Sequence, residues 1–495
     1  MISMWVSTLA LAVAQPADAC FTIKVVDGQT RRGVPLVELR TVNEIRYYTD
    51  SNGVVAFREP GLMNLDVFFH VASHGYEFPA DAFGNHGKAL RTTPGGSATL
   101  TIGRTNVAER LYRITGAGIY GDSVLADIPV PIKEPTLNSQ VLGCDSVLTA
   151  VYSGKLYWFW NDTSRASYPL GNFHDSGATS EFPDWGGLDP DRGVDFTYFR
   201  NRNGFVKEMA HMPGEGPTWL VSVAALPDNT GRQRLYAGYL KVKPPMRVYA
   251  RGLAVFDDDK RQFVHAADVD MAAPTFPSGH AFRHTDDGVE YVYFGNPFPL
   301  TRVRARGDDF LRVGEYENYT PLLDPNRVDR DPEGRTRYAW RKNLPLVGPR
   351  EEAKLLAAGQ IKSGEIRRAL RARDSGNSIV PHAGSVCWNE YRRRWVMIFV
   401  ETGGTSLLGE VWYAEADSPT GPWSDAVKIV THHRYSFYNP MQHPEFAKDK
   451  GRVIYFEGTY SNTFSGNPTP TPRYDYNQIM YKLDLSEPRL KLSSR

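Results

Sequence analysis

One hairpin plan recurs along the chain, and it limits the folds open to this sequence. In its clearest copy, Asp145 to Asp162, two runs of β-branched and aromatic residues flank Ser153-Gly154. Such a pair between alternating runs reads as a two-residue hairpin turn. In that register Tyr152 faces Lys155, and Asp145 faces Asp162. Similar units run from His280 to Asn296, from His382 to Glu401 and from His443 to Glu457. In each, a polar residue opens a strand, a turn follows, and an aromatic-rich strand ends in another polar residue. The offsets between the paired polar positions are 17, 16, 19 and 14. A fainter copy spans Thr218 to Tyr239. Five such units, about 60 to 100 residues apart, predict an all-β protein with a five-bladed β-propeller over residues 116–486. A six-bladed ring or a large sandwich remains open.

Residues 20–110 carry a different pattern. Phe21 to Asp27 alternates as a strand, Gly33-Val34-Pro35-Leu36-Val37 leads into a second, and Tyr47 to Phe57 forms a hairpin around Ser51-Asn52-Gly53. The order "G-V-P-L-V" followed by Thr49-Asp50-Ser51-Asn52-Gly53 resembles the carboxypeptidase-regulatory-like, prealbumin-type β-sandwich. That resemblance implies a small accessory domain without chemistry of its own. Residues 1–19 read as a secretory signal peptide. An apolar core from Trp5 to Ala14 precedes Ala17-Asp18-Ala19, a small-x-small cleavage pattern. No Lys or Arg precedes that core, and Cys20 leaves lipidation open. The expected location is secreted or periplasmic.

Charge and cysteine content exclude several classes. Lys and Arg number 57 against 56 Asp and Glu, giving a net charge of +1 rather than the basic excess of a nucleic-acid binder. No later stretch reaches the roughly 18 apolar residues of a membrane span. Three cysteines, at 20, 144 and 387, are too few for a disulfide scaffold or a cysteine zinc site, although Cys144 and Cys387 could pair. One segment breaks the strand pattern. Residues 325–373 hold 13 basic and 6 acidic residues, with helical spacing from Pro349 onward, so a basic helical insertion is expected there. Together with Arg283, Arg302 and Arg304 it leaves an anionic substrate open.

The polar ends of the repeated hairpins would converge at one mouth of a propeller. The candidate catalytic residues are therefore Asp145, Asp162 and Glu401. The candidate substrate-binding residues are His280, Asn296, His382, His443 and Glu457, with Trp160 as a stacking surface. Like charges directly opposed on a hairpin are destabilising, so Asp145 facing Asp162 calls for a chemical reason. Paired carboxylates suit glycosidic-bond hydrolysis, in which one acid protonates the leaving oxygen and another attacks or activates water. Asp145 reads as nucleophile or base, with Asp162 and Glu401 competing for the acid role. Imidazoles beside carboxylates also leave open a divalent cation in the propeller channel.

The stretch Asp145-Ser146-Val147-Leu148 followed by Gly154 to Thr163 resembles the first blade of five-bladed glycoside hydrolases. These include the arabinanase and xylosidase family 43 and a secreted endo-arabinanase-related group. Asn161-Asp162-Thr163 matches a "G-D-T" context with Asn in place of Gly. The resemblance implies a carbohydrate substrate, but His280 stands where family 43 carries its blade-three Glu. A non-catalytic carbohydrate- or protein-binding propeller and a polysaccharide lyase are the alternatives.

Overall fold

The structure is a computed structural model that describes residues 19–491. The apolar N-terminal segment lies outside them, apart from Ala19. The chain is an all-β protein, 46% strand and 8% helix, and no described helix is long and apolar enough to cross a membrane. Its contacts divide into two compact units.

Within the described residues the first unit is built from residues 19–73, 77–103 and 122–130. In one sheet Phe21–Asp27 pairs antiparallel with Val54–Phe57 and parallel with Ser97–Arg104. In the other, Glu38–Thr41 lies between Arg46–Tyr48 and Asp66–Ala72, with Gly87–Arg91 at the edge. Alternation puts Ile23, Val25, Leu39 and Phe69 inside, each fully buried. Phe57 of one sheet meets Phe69 of the other edge to face at 5.2 Å, so the two sheets share one core.

Beside a three-stranded sheet and two two-stranded ones, the second unit holds, among the described residues, five antiparallel sheets of four or five strands. Their innermost strands are Val147–Tyr152, Thr218–Pro227, His280–Asp286, Pro381–Asn389 and Ser436–Gln442. Each touches the innermost strand of the next sheet, and the fifth touches the first. The fifth sheet takes its outer strand from far away in sequence, because Glu109–Arg113 pairs with Asn477–Asp484. Apolar layers fill the space between neighbouring sheets. Leu148, Phe159, Leu220 and Leu235 join the first to the second, and Leu300, Leu370, Val386 and Met397 lie between the third and fourth. Side chains buried this fully contribute about 1.5–3 kcal/mol each.

The first hairpin has the expected register. Val147 faces Trp160 and Tyr152 faces Lys155. Ser153 and Gly154 both have positive φ, 48° and 75°, the turn geometry whose twist matches that of the strands. The other registers differ from expectation. His280 faces Gly295 rather than Asn296, and Glu401 faces Pro381 rather than His382, ahead of a bulge before Gly384. In the fifth sheet the inner strand starts at Ser436, seven residues before His443, and Met441 faces Glu457.

In the expected basic insertion, the helix spans only Pro349–Ala357 and short strands precede it. Several of its cations are paired locally, Arg368 with Glu352, Arg335 with Asp331 and Arg327 with Asp324. Arg302 is likewise held, in the third sheet, by Asp286 and Glu317. All three cysteines are free thiols.

Candidate active site

The opening residues of the first and fifth sheets meet at a half-buried cluster of acids. Just outside the paired strands, Asp145 and Asp162 continue the hairpin by backbone bonds. The amide of Asp145 donates to the Asp162 carbonyl at 3.2 Å, and that of Asn161 donates to the Asp145 carbonyl at 3.0 Å. The Asp162 amide also donates to Oδ1 of Asp145 at 3.1 Å. The two carboxylates are thus held by rigid backbone rather than by a loop. Ser146 enters the strand with φ 51°, and its hydroxyl accepts from Asn439 at 2.6 Å, which ties the first sheet to the fifth.

Four further side chains complete the cluster. Tyr438 donates to Oδ2 of Asp145 at 3.0 Å, and the Tyr476 hydroxyl bonds the same carboxyl. The indole of Trp219 donates to Oδ1 of Asp162 at 2.9 Å. Asp175, fully buried, accepts from Asn161 at 2.7 Å and from the Leu220 amide at 3.1 Å. Beside these, the ring of Phe464, on the loop that also carries Tyr476, meets Tyr438 at 5.9 Å and is 55% exposed. It offers an apolar face next to the acids.

Burial and mutual repulsion act together on the carboxyls. Desolvation, and then the charge of Asp162, push Asp145 up to about 7, against the opposing hydrogen bonds from Tyr438 and Tyr476. Desolvation also raises Asp162, opposed by the Trp219 bond. Asp175 is raised well above the ordinary carboxylate range by burial, with both neighbouring acids adding to it. The cluster therefore holds protons at pH values where exposed carboxyls have lost them. One carboxyl can donate a proton while another remains an anion.

The other expected site residues are distributed differently. Glu401, half-buried at the end of its strand, accepts from the indole of Trp412 at 2.8 Å. It is not among the groups that chiefly set the proton affinity of Asp145 or Asp162. Asn296 is exposed and accepts from the Gly384 amide at 3.0 Å, a bond between the third and fourth sheets. His382 is exposed. His280 is half-buried, with its Nδ1 shielded, and burial lowers it to about 4. It is an uncharged imidazole at neutral pH.

Three expected residues lie in the interior rather than at the rim. His443 and Glu457 are fully buried and bonded to each other at 2.7 Å. The fifth inner strand ends just before His443, which puts this pair at the far end of the ladder from Ser436. Trp160 is fully buried, stacked on Trp158 with planes 12° apart and packed edge-on against Phe196. It has no free face for a ligand, because the hairpin's alternation turns it into the core. Among the described residues, no cluster of three metal-ligating groups includes His280, His382, His443 or Glu457, the residues that left a channel cation open.

Sequence reasoning missed Asp175, Tyr476 and Phe464 as parts of the cluster. Asp175 lies in a segment without strand periodicity, and only its apolar surroundings in space mark it. Tyr476 and Phe464 belong to a stretch readable from sequence only as a long loop over one mouth.

No family model matches the sequence, and no curated protein matches it. Solved structures similar to it are family-43 glycoside hydrolases at low identity. An exo-β-1,3-galactanase from Phanerochaete chrysosporium is 9% identical, with a TM-score of 0.39 over 76% of this chain. The match spans 65% of the galactanase's own length. The GH43_1 enzyme from Xanthomonas citri is 13% identical, with a TM-score of 0.37 over 72% of this chain and 92% of its own. An α-L-arabinofuranosidase from Clostridium thermocellum is 14% identical, with a TM-score of 0.33 over 68% of this chain and 88% of its own.

Proposed function

We propose that the protein is a glycoside hydrolase whose reactive centre is the Asp145–Asp162 pair, carried on the first blade of a five-bladed β-propeller. In this reading the five sheets are the blades, and the N-terminal unit is an accessory sandwich. The observation that carries it is the backbone-fixed pair of half-buried acids with Asp145 raised to about 7. A carboxyl that keeps its proton near neutral pH suits protonation of a leaving glycosidic oxygen. That favours Asp145 as the general acid and Asp162, held by Trp219, as the anionic partner. This reverses the roles that the sequence suggests for the pair. Phe464 and the edge of Trp219 supply apolar surface of the kind that packs against sugar rings. The apolar N-terminal segment supports action outside the cytoplasm.

The test is release of reducing ends from a panel of polysaccharides and nitrophenyl glycosides. Asp145→Asn should lower turnover at least 10²-fold, the size expected for loss of a positioned acid, with folding unchanged. Turnover unaffected by Asp145→Asn, or glycan binding with no product across the panel, would overturn the reading.

A further inference from the structure

A second cluster with metal-ligand chemistry lies where the first and second sheets meet. His174, Glu208 and His211 bring one donor atom each to within 4.8 Å of one another. The three come from two segments joined by backbone. The Ala210 amide donates to the His174 carbonyl at 2.9 Å, and the Met209 amide donates to the Asp175 carbonyl at the same distance. The spacing of the side chains therefore follows from paired main chain.

The imidazoles of His174 and His211 face each other, with centroids 4.3 Å apart and planes 27° apart. Nδ1 of His174 lies 3.2 Å from the Thr218 hydroxyl, and Nδ1 of His211 lies 2.8 Å from Glu208 Oε2. The Thr218 contact fixes the His174 ring, and in the tautomer that donates from Nδ1 to that hydroxyl Nε2 keeps its lone pair for an ion, as ligating imidazoles are oriented in metal sites. Lys241, nearby in the second sheet, is buried and tied to the Gly216 carbonyl at 2.8 Å and to Thr218. Glu208 is about half exposed and His211 more so, so both have room to close the gap of roughly an ångström that remains. Donors around a tetrahedral zinc, at roughly 2.0–2.2 Å from it, sit little more than 3 Å apart.

We infer that His174, Glu208 and His211 form a binding site for a zinc-like divalent cation. Two imidazoles and a carboxylate match borderline cations, whereas Mg²⁺ and Ca²⁺ take oxygen ligands. Three protein ligands leave a fourth position to water. An ion here clamps residues 172–175 to residues 208–211; His174 is next in sequence to Asp175, whose carbonyl accepts from the Met209 amide. The site does not depend on the hydrolase reading, since its ligands are not the proposed catalytic acids.

The experiment is calorimetric titration of the chelator-treated, tag-free full chain with ZnCl₂ alone, followed by thermal melting with and without zinc. One equivalent should bind saturably and raise the melting temperature, because the ligand set is assembled only in the folded chain. His211→Ala, at an exposed position that should fold normally, should weaken binding at least tenfold and remove the thermal shift. Glu208→Gln should weaken it as well. Absence of saturable zinc binding would overturn the inference. So would affinity unchanged in both variants, or equal affinity for MgCl₂.

Discussion

The backbone amide of Asp162 reaches Oδ1 of Asp145 at 3.1 Å, across the open end of a hairpin whose paired rungs carry no other acid. This bond fixes two acids side by side on a rigid element. The repulsion between them falls on a carboxyl already short of water. Asp145 thereby becomes a proton holder near neutral pH, and its partner Asp162 is the second-largest cause of that shift.

The pH dependence of activity should report that arrangement. With Asp145 as the acid, kcat/KM should fall as pH rises through about 7. Tyr438→Phe removes a hydrogen bond that favours the charged carboxylate. The descending limb should then move to higher pH, with a loss in rate of about tenfold from poorer positioning. A limb that moves to lower pH would contradict the assignment.

Stability should vary with pH in the opposite sense from an ordinary salt-bridged carboxylate. The folded state raises Asp145 from 3.8 to about 7, so it binds the proton more tightly than the unfolded chain does. Folding stability is therefore lost as pH rises from about 4 through about 7. Asp145→Asn abolishes that loss. At pH 8 the variant should be more stable than the parent by an amount on the order of 4 kcal/mol, while the two should converge near pH 4. Urea denaturation at both pH values measures it.

Asp175 should separate charge from hydrogen bonding. Its carboxyl is the acceptor for Asn161 and the Leu220 amide, and burial pushes it well above the ordinary carboxylate range. Asp175→Ala leaves two buried donors without that acceptor and should cost about 2–4 kcal/mol. Asp175→Asn keeps an acceptor and should cost less, and the cost of both variants should shrink equally at alkaline pH, where the parent must ionise a buried carboxyl. Thermal melts across pH read both effects.

The buried pair in the fifth sheet should be structural. Removing one partner of the His443–Glu457 bond strands the other in a dry interior. Glu457→Ala should therefore cost about 3–5 kcal/mol. A residue that contacts substrate would instead change KM with the denaturation midpoint unmoved.

The sequence conveyed the fold better than the site, and the reason is local. Between Val147 and Trp160 the side-chain period is two and the turn residues tolerate positive φ, so register follows from nearest neighbours. The fifth inner strand, Ser436-Phe437-Tyr438-Asn439-Pro440-Met441-Gln442, is interrupted by Asn439 at φ 50° and by Pro440. Its alternation is hidden, and the next polar residue, His443, stood in for its start. The same shift turned His443 and Glu457 from rim residues into interior ones. The strand Glu109–Arg113 closes a sheet whose other members begin more than 300 residues later, a pairing that no local pattern encodes. Asp145 and Asp162 were legible because a hairpin opposes them. Asp175 and Tyr476 join them only through the packing of separate segments.

The central claim is most directly tested by following the Asp145 carboxyl itself in a ¹³C NMR titration, assigned with Asp145→Asn. The account predicts that this carboxyl titrates near 7 in the parent protein and at lower pH in Asp162→Asn. Titration near the ordinary value of 3.8, unchanged by Asp162→Asn, would contradict it.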